Sequence, residues 1–438
     1  MRDFLPEDVR RRQYVIGVIA DVYQRYGFEP LETPAVENIE TLMGKYGEEG
    51  DRLIFRILKR GDEGKRGEAD LALRYDLTVP LARVVAQYRA GLPRFFKRYQ
   101  VQPVWRADRP QKGRFREFYQ CDVDAIGSTS PLVEVELLSA AADVLERLGF
   151  ANFTIRLNHR KVLTALLDAA GIAPGSHGDA LVAIDKLDKV GRAGVASELL
   201  VRGLTRADQA ENLLDLFASS EQTSNEELLA RLRQHMKGDE ARLAAVAELS
   251  EIDRLSYATS AGSRLRLDPS LARGLSYYTG AIFEIVVQDL AGSLAGGGRY
   301  DDLIGMFLGQ SVPASGISLG LERILVVMAE RGMFPASLTE TPADVMVTIW
   351  NADARADAIR LAGELRRAGL RVDVYPEPDK IGKQFKYADS RKIPFVTIVG
   401  EAEAGAGQVA VKSLSSGEQE VVPRPAAAAF IRSKLAGA

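Results

Sequence analysis

The chain has 438 residues, of which 46% are hydrophobic and 27% charged, so it can bury a sizeable core, and its length suggests two or three domains. A net charge of -3 offers no bulk attraction to nucleic acid, so any such partner must be met by local patches. The single Cys121 excludes a disulfide framework and cysteine-rich metal sites, and His159, His177 and His235 have no metal-ligand spacing. With no apolar run of bilayer-spanning length and no signal-peptide core, the expectation is a soluble cytoplasmic protein. Neither a catalytic triad nor zinc is expected, so the chemistry must come from charge and positioning.

Residues 6–26 predict an amphipathic helix: Val9, Tyr14, Ile16, Ile19, Val22 and Tyr23 recur at helical spacing, and Gly27 closes it. The run GFEPLETPAVENIE reads as extended, and Pro30 and Pro34 cannot donate to a strand ladder. An edge strand, an interface or a surface crossover all satisfy that pattern. Strands over 55–59 and 71–74 flank a polar hairpin. The run LRYDLTVPLARVVAQ then turns from strand to helix at Asp76-Leu77-Thr78, where either polar residue suits a helix cap or a binding role.

The densest chemistry lies in 104–127, VWRADRPQKGRFREFYQCDVDAIG, which predicts two antiparallel strands joined by a basic loop. Arg106, Arg109, Lys112, Arg114 and Arg116 face only Asp108 there. Beyond them Gln120, Asp122 and Asp124 are spaced by two, which puts all three on one side of the sheet. A cationic mouth thus opens on an acidic pocket, suited to a polyanion held beside an amine. Guanidinium forks pair with phosphate oxygens, and the absence of GxxxxGK[ST] excludes a P-loop.

A helix over 132–148, a strand over 153–157 and a helix to about Ala170 follow. Residues 171–256 are helical in periodicity and carry no site chemistry, consistent with a lid or a scaffold. Strand character resumes at 263–267 and again at 281–287, with Arg273-Gly274 and Tyr277-Tyr278 on a turn between them. In AGGGRYDDL, three glycines precede Arg299, Tyr300 and Asp301; they allow a close backbone approach or a tight hairpin. SGISLGLERIL runs from strand into helix, with Arg323 one turn inside. After a linker at 339–342, strands at 345–349, 371–375, 395–399 and 409–412 alternate with helices at 354–368 and 383–391, which predicts a small α/β domain.

These segments together resemble the histidyl-tRNA synthetase family of class II aminoacyl-tRNA synthetases. GFEPLETPAVE is similar to the first class motif, VWRADRPQKGRFREFYQCDVD to the second and SGISLGLERIL to the third. The segment Arg273 to Thr279, RGLSYYT, and the GGRYD of Gly297 to Asp301 resemble two signatures peculiar to the histidine enzyme. The resemblance covers essentially the whole chain. It implies a mixed α/β (α+β) core of antiparallel sheet flanked by helices over 1–170 and 257–335, a helical insertion over 171–256, and an anticodon-binding α/β domain over 342–438.

By the same resemblance, the catalytic residues would be Arg273, Arg106 and Arg323. Arg106 would hold the α-phosphate of ATP, Arg323 the far side of the triphosphate, and Arg273 the reacting phosphate and carboxylate. Asp108 would lie near the adenine, with Arg114 and Arg116 near the outer phosphates. Asp76, Thr78, Gln120, Asp124, Tyr277 and Tyr278 would line the L-histidine pocket. Mg2+ would accompany ATP with few protein ligands. The partners implied are tRNA(His) and a second copy of the chain, joined through the Pro34 segment, with Lys383, Lys386 and Arg391 facing the anticodon or solvent. Asp76 and Asp124 stand where many bacterial members carry glutamate, Ser276 where aspartate is usual, and Asp302 where glycine is. Asp122 matches no family role, and structural support is expected of it. The competing reading is a catalytically inactive regulatory subunit of ATP phosphoribosyltransferase; such proteins lack the C-terminal domain and break the Arg273 segment, and both are present here.

Overall fold

The structure, a computed structural model, describes residues 1–109, 113, 115–217, 223–272, 277–288, 290, 292–335, 338 and 341–436. The chain divides into two compact units, Met1–Phe334 and Pro335–Ala438. The first opens with the helix Pro6–Arg25, which has proline in its first turn, acids Glu7 and Asp8 at its N-terminus and Arg25 at its end. That arrangement suits both the missing proline N–H and the helix dipole. Its apolar stripe, Val15, Ile19, Val22 and Tyr23, is fully buried in the main core.

Strand β1 (Glu29–Pro30) follows on a sheet edge. β2 (Val36–Asn38), β3 (Arg56–Leu58) and β4 (Ala69–Leu73) form a small antiparallel sheet in the order β2-β4-β3. The polar hairpin between β3 and β4 contains a helical turn, Gly61–Lys65. The helix Thr78–Tyr88 then leads to the main sheet.

That sheet contains β5 (Phe96–Trp105), β6 (Glu117–Ile126), β7 (Thr154–His159), β8 (Leu265–Leu267), β9 (Ala281–Val286), β10 (Ala295–Arg299) and β11 (Ala314–Gly320). Among the described residues its order is β1-β5-β6-β11-β10-β9-β7-β8. The interior pairings are antiparallel, and only the edge pairs β1–β5 and β7–β8 are parallel. On β6, Cys121, Val123 and Ala125 point into the core with the helices Pro6–Arg25, Leu132–Arg147 and Leu321–Glu330. Gln120, Asp122 and Asp124 take the opposite face, as period-two alternation requires.

β5 begins at Phe96, eight residues before the run expected from 104 onward. The missed part, FKRYQVQP, alternates Tyr99 and Val101 with Arg98, Gln100 and Gln102, and such a polar row reads as solvent-facing in sequence. Here Arg98 and Gln100 are buried. The glycines 296–298 lie within β10, in register with β9 and β11, so the close approach and not the hairpin is what they serve.

The stretch 171–256 contains the helices His177–Ile184, Leu187–Val201, Ala207–Phe217, Asn225–His235 and Glu240–Ser256. Their apolar faces, including Leu213, Leu229 and Leu249, join the main core. The second unit has β12 (Val345–Val347), β13 (Val372–Val374), β14 (Phe395–Ile398), β15 (Gln408–Ser413) and β16 (Gln419–Pro423), in the order β13-β12-β14-β15-β16. The helices Arg355–Arg367, Ile381–Ser390 and Ala427–Ala436 accompany it. β16 and the helical turn Glu401–Ala406 have no apolar periodicity to announce them, since β16 is largely exposed and pairs only with β15 along its length.

Candidate active site

One cleft of about 1660 Å3 lies over the polar face of the main sheet. Asp76, Thr78, Arg106, Asp108, Gln120, Asp124, Tyr277, Tyr278 and Arg323 all line it, although they come from positions spread over some 250 residues of sequence. Arg116 does not line the cleft; its exposed guanidinium donates to the Asp108 carbonyl at 3.1 Å. Arg114 and Arg273 lie outside the described residues.

The floor is set by strand register. Asp124 stands opposite Arg98 on β5 and Gly316 on β11, and Asp122 opposite Gln100 and Ser318. Arg98 Nη2 lies 2.9 Å from Asp124 Oδ2, and the Tyr300 hydroxyl donates to Asp124 Oδ1. Arg98 also reaches Gln100 at 3.2 Å, which continues through Gln102 and Thr33 to Arg74. Gln120 donates to Ser318 Oγ at 3.0 Å and to Asp122 Oδ1 at 3.3 Å. This interlocked row holds each pocket side chain in a single orientation.

Asp76 sits across from the floor. Its Oδ1 accepts from the Val79 N–H at 3.0 Å and from the Tyr46 hydroxyl at 2.9 Å, and its Oδ2 accepts from Tyr277 at 3.3 Å. The capping and pocket roles read as alternatives in the sequence therefore coexist in one residue. Tyr277 packs edge-on against Tyr278 and Tyr300, so the tyrosines form a wall beside the acids.

Three buried carboxylates in this space repel one another's charge. Burial raises the Asp76 pKa, partly countered by the Val79 N–H and by Arg106. Burial likewise pushes Asp122 up to about 7 despite Arg98, with Asp124 adding to the rise. Asp124 is raised by burial and pulled back by Arg98 and Tyr300. A cationic or N–H-donating group placed beside these carboxylates would relieve this crowding.

Glycines make the room. A Cβ on Gly316 would lie 1.9 Å from Asp124 Oδ1, and one on Gly298 would lie 2.9 Å from the Tyr278 ring. A Cβ on Gly297 would strike the Gly316 carbonyl at 2.1 Å.

The cationic end is built from the ends of β5 and β11. Arg106, which lines the cleft, donates from Nε to the Tyr75 carbonyl at 3.1 Å and from Nη2 to Gln120 Oε1 at 3.5 Å, and stacks over the Tyr75 ring at 4.2 Å. Arg323 is tied to the Ser293 carbonyl and packs close to Gly292 and Gly113. Behind them Glu322 accepts the Tyr119 N–H with both oxygens at 3.1 Å.

Sequence reasoning missed Arg98, Tyr300, Ser318 and Tyr46. Extending the period-two pattern of β5 back to Arg98 would have found the first. Tyr300 and Ser318 stood inside quoted motifs but had no assigned task, and Tyr46 carried no local signal. Among the described residues, no cluster of three or more His, Cys, Asp or Glu is disposed to hold a metal ion.

Holding phosphates with guanidinium groups on an antiparallel sheet, without a P-loop, is the solution of the class II aminoacyl-tRNA synthetases, and the first unit has that core. A family profile described as Histidyl-tRNA synthetase matches residues 1–324, and one described as Anticodon binding domain matches 344–434. The chain belongs to the histidyl-tRNA synthetase family. It is 43% identical over 461 residues to a Histidine--tRNA ligase of Gloeobacter violaceus, covering 99% of this chain and 97% of that one. It is 44% identical to one of Porphyromonas gingivalis, with 98% and 96% covered. The crystal structure of a histidyl-tRNA synthetase from Nostoc sp. superimposes with a TM-score of 0.82 at 33% identity, covering 99% of this chain and 97% of that one. A Bacillus halodurans chain described as an ATP phosphoribosyltransferase regulatory subunit/histidyl-tRNA synthetase shares the fold, with a TM-score of 0.72 at 22% identity, 88% and 94% covered.

Proposed function

We propose that this chain is a histidine–tRNA ligase, which activates L-histidine with ATP to histidyl-adenylate and pyrophosphate and then transfers histidine to the 3' end of tRNA(His). The observation that carries this reading is the single cleft in which Arg106 and Arg323 adjoin the acidic floor of Gln120, Asp122 and Asp124. Activation is attack by the substrate carboxylate on the α-phosphorus, so no protein nucleophile is required. In-line placement and neutralised phosphate charge supply the catalysis.

Arg106 takes the α-phosphate and Arg323 the far side of the triphosphate; neither guanidinium can lose its proton, so both are dependable clamps. Arg273 is assigned to the reacting phosphate and carboxylate, Asp108 to the adenine side, and Arg114 to the outer phosphates; Arg116, which lies outside the cleft lining and holds the Asp108 carbonyl, is not assigned to them. Asp76, Thr78, Gln120, Asp124, Tyr277 and Tyr278 hold histidine. Mg2+ arrives with ATP, whose phosphate oxygens and waters provide most of its ligands.

We assign 1–170 and 257–335 to the catalytic core, 171–256 to a helical insertion and 342–438 to anticodon binding. The working form is a cytoplasmic homodimer. The regulatory-subunit reading is the weaker one, because the cleft keeps a full set of pocket residues and residues 344–434 match the anticodon-binding profile. ATP–pyrophosphate exchange, run with each amino acid in parallel, tests the proposal. Exchange driven by histidine is expected; none with histidine, or faster exchange with another amino acid, overturns it.

A further inference from the structure

Residues 1–5 belong to no helix or strand, yet two of their side chains are engaged in stacking. The Arg2 guanidinium lies over the Phe4 ring at 4.6 Å and over the Phe115 ring at 4.0 Å. The Arg12 guanidinium covers Phe4 at 4.5 Å and Tyr119 at 4.9 Å. Rings and guanidinium groups therefore alternate in one row: Tyr119, Arg12, Phe4, Arg2 and Phe115. A guanidinium is drawn to the negative face of an aromatic ring, and its flat shape lets rings cover it closely.

The row has a rigid end and an end in the cleft. Arg12 stands on the helix Pro6–Arg25, whose stripe of Val15, Ile19, Val22 and Tyr23 is fixed in the main core. Tyr119 is fixed as well, because Glu322 accepts its N–H. Phe115 precedes β6, where the basic loop returns to the sheet, and lines the cleft together with Phe118. On one side of Phe115, Gly113 packs against the stem of Arg323, where an added Cβ would meet Cγ at 3.7 Å. On the other side, the Arg106 guanidinium lies 5.1 Å over the Phe118 ring. Both arginines assigned to the triphosphate thus rest on residues that flank Phe115. Gln120 and Asp124 of the floor lie further along β6, where pairing with β5 and β11 sets their positions.

We propose that Arg2 and Phe4 are positioning residues for the nucleotide half of the site: stacked between Arg12 and Phe115, they carry the rigidity of the first helix to the return of the basic loop, and so set the surfaces against which Arg106 and Arg323 are held. The proposal rests on reading this end of the cleft as the ATP site and deepens that reading. One such contact at a partly exposed position is worth about two- to fivefold in an equilibrium constant, so its loss gives a graded fall in ATP affinity and not a collapse. Links in series fail together. Breaking one of them is therefore equivalent to breaking both.

The test uses the full chain in calorimetric titration with ATP and in ATP–pyrophosphate exchange with histidine. Arg2→Ala, and Phe4→Leu, which keeps apolar bulk but removes the ring, should each weaken ATP binding and raise the KM for ATP about three- to fivefold. The KM for histidine should stay within about twofold, and the thermal midpoint should be nearly unchanged. The double variant should bind ATP no more weakly than the weaker single variant. Phe4→Tyr restores a ring and should bind ATP as the wild type does, while Arg2→Lys keeps the charge without the flat guanidinium and should fall between wild type and Arg2→Ala. Unchanged ATP affinity in Arg2→Ala and Phe4→Leu overturns the proposal. So does a parallel rise in both KM values with a lower thermal midpoint, the mark of a general loss of structure. A wild type that binds ATP but activates no histidine removes the functional reading, while the calorimetric comparison still decides the proposal; one that does not bind ATP overturns both.

Discussion

Glu322 shows how a single side chain carries a pH dependence for the whole unit. Burial pushes its carboxyl up to about 7, against the pull of the Tyr119 N–H and of Arg2 and Arg12. The folded chain thus holds a proton here that the unfolded chain releases near pH 4.5, the ordinary value for this side chain. Between these two pH values the native state binds more protons, so stability falls as pH rises from about 4.5 to about 7 and levels off above. Glu322→Gln keeps one acceptor for Tyr119 and cannot ionise. Its advantage over the wild type should grow from near zero at about pH 4 to at most about 3 kcal/mol at about pH 8, read as a widening gap in thermal midpoint. A gap that does not change with pH would show that Glu322 ionises as freely as in the unfolded chain. Single residues were unevenly legible in the sequence. Gln120, Asp122 and Asp124 announced themselves by alternation, whereas Arg98 did not, because a buried arginine and an exposed one look alike until the Asp124 that neutralises it is placed opposite.

At the scale of elements, the site depends on how closely strands can approach. β10 and β11 carry glycine where β6 carries Asp124 and where Tyr278 leans on the sheet, and the space each glycine leaves is filled by a pocket side chain. Gly316→Ala puts a methyl group against Asp124 Oδ1, so the carboxylate must rotate away from Tyr300 or Arg98. We expect roughly a tenfold rise in the KM for histidine, little change for ATP, and a stability loss of roughly 1–3 kcal/mol, measured by exchange kinetics and thermal unfolding. A normal histidine KM in a folded Gly316→Ala chain would show that the orientation of Asp124 is not what the glycine protects. In sequence the glycine run was ambiguous between a turn and a close approach. Strand pairing resolved it, since a turn would have broken the ladder that β9, β10 and β11 share.

For the whole molecule, the edge of the main sheet is the feature to explain. β1 pairs with β5 on one side, and its two residues include Pro30, which lacks an N–H. On the small sheet Val36 and Leu58 stay exposed. A second copy packed over the Pro34 segment would bury this edge, and sedimentation at micromolar concentration should show a dimer; a monomer there would count against it. The sequence by itself determined most of the element types and most of the residues that line the cleft, because periodicity, turn chemistry and charge spacing are local properties. The class II motifs and the two histidine signatures likewise survive as strings. Only the tertiary structure decided that Asp76 caps a helix and faces the pocket at once, and that Arg98 and Tyr300 hold Asp124. Those are facts of register and burial, and they arise where strands distant in the chain share one sheet face and the dielectric around each charge is set by its neighbours.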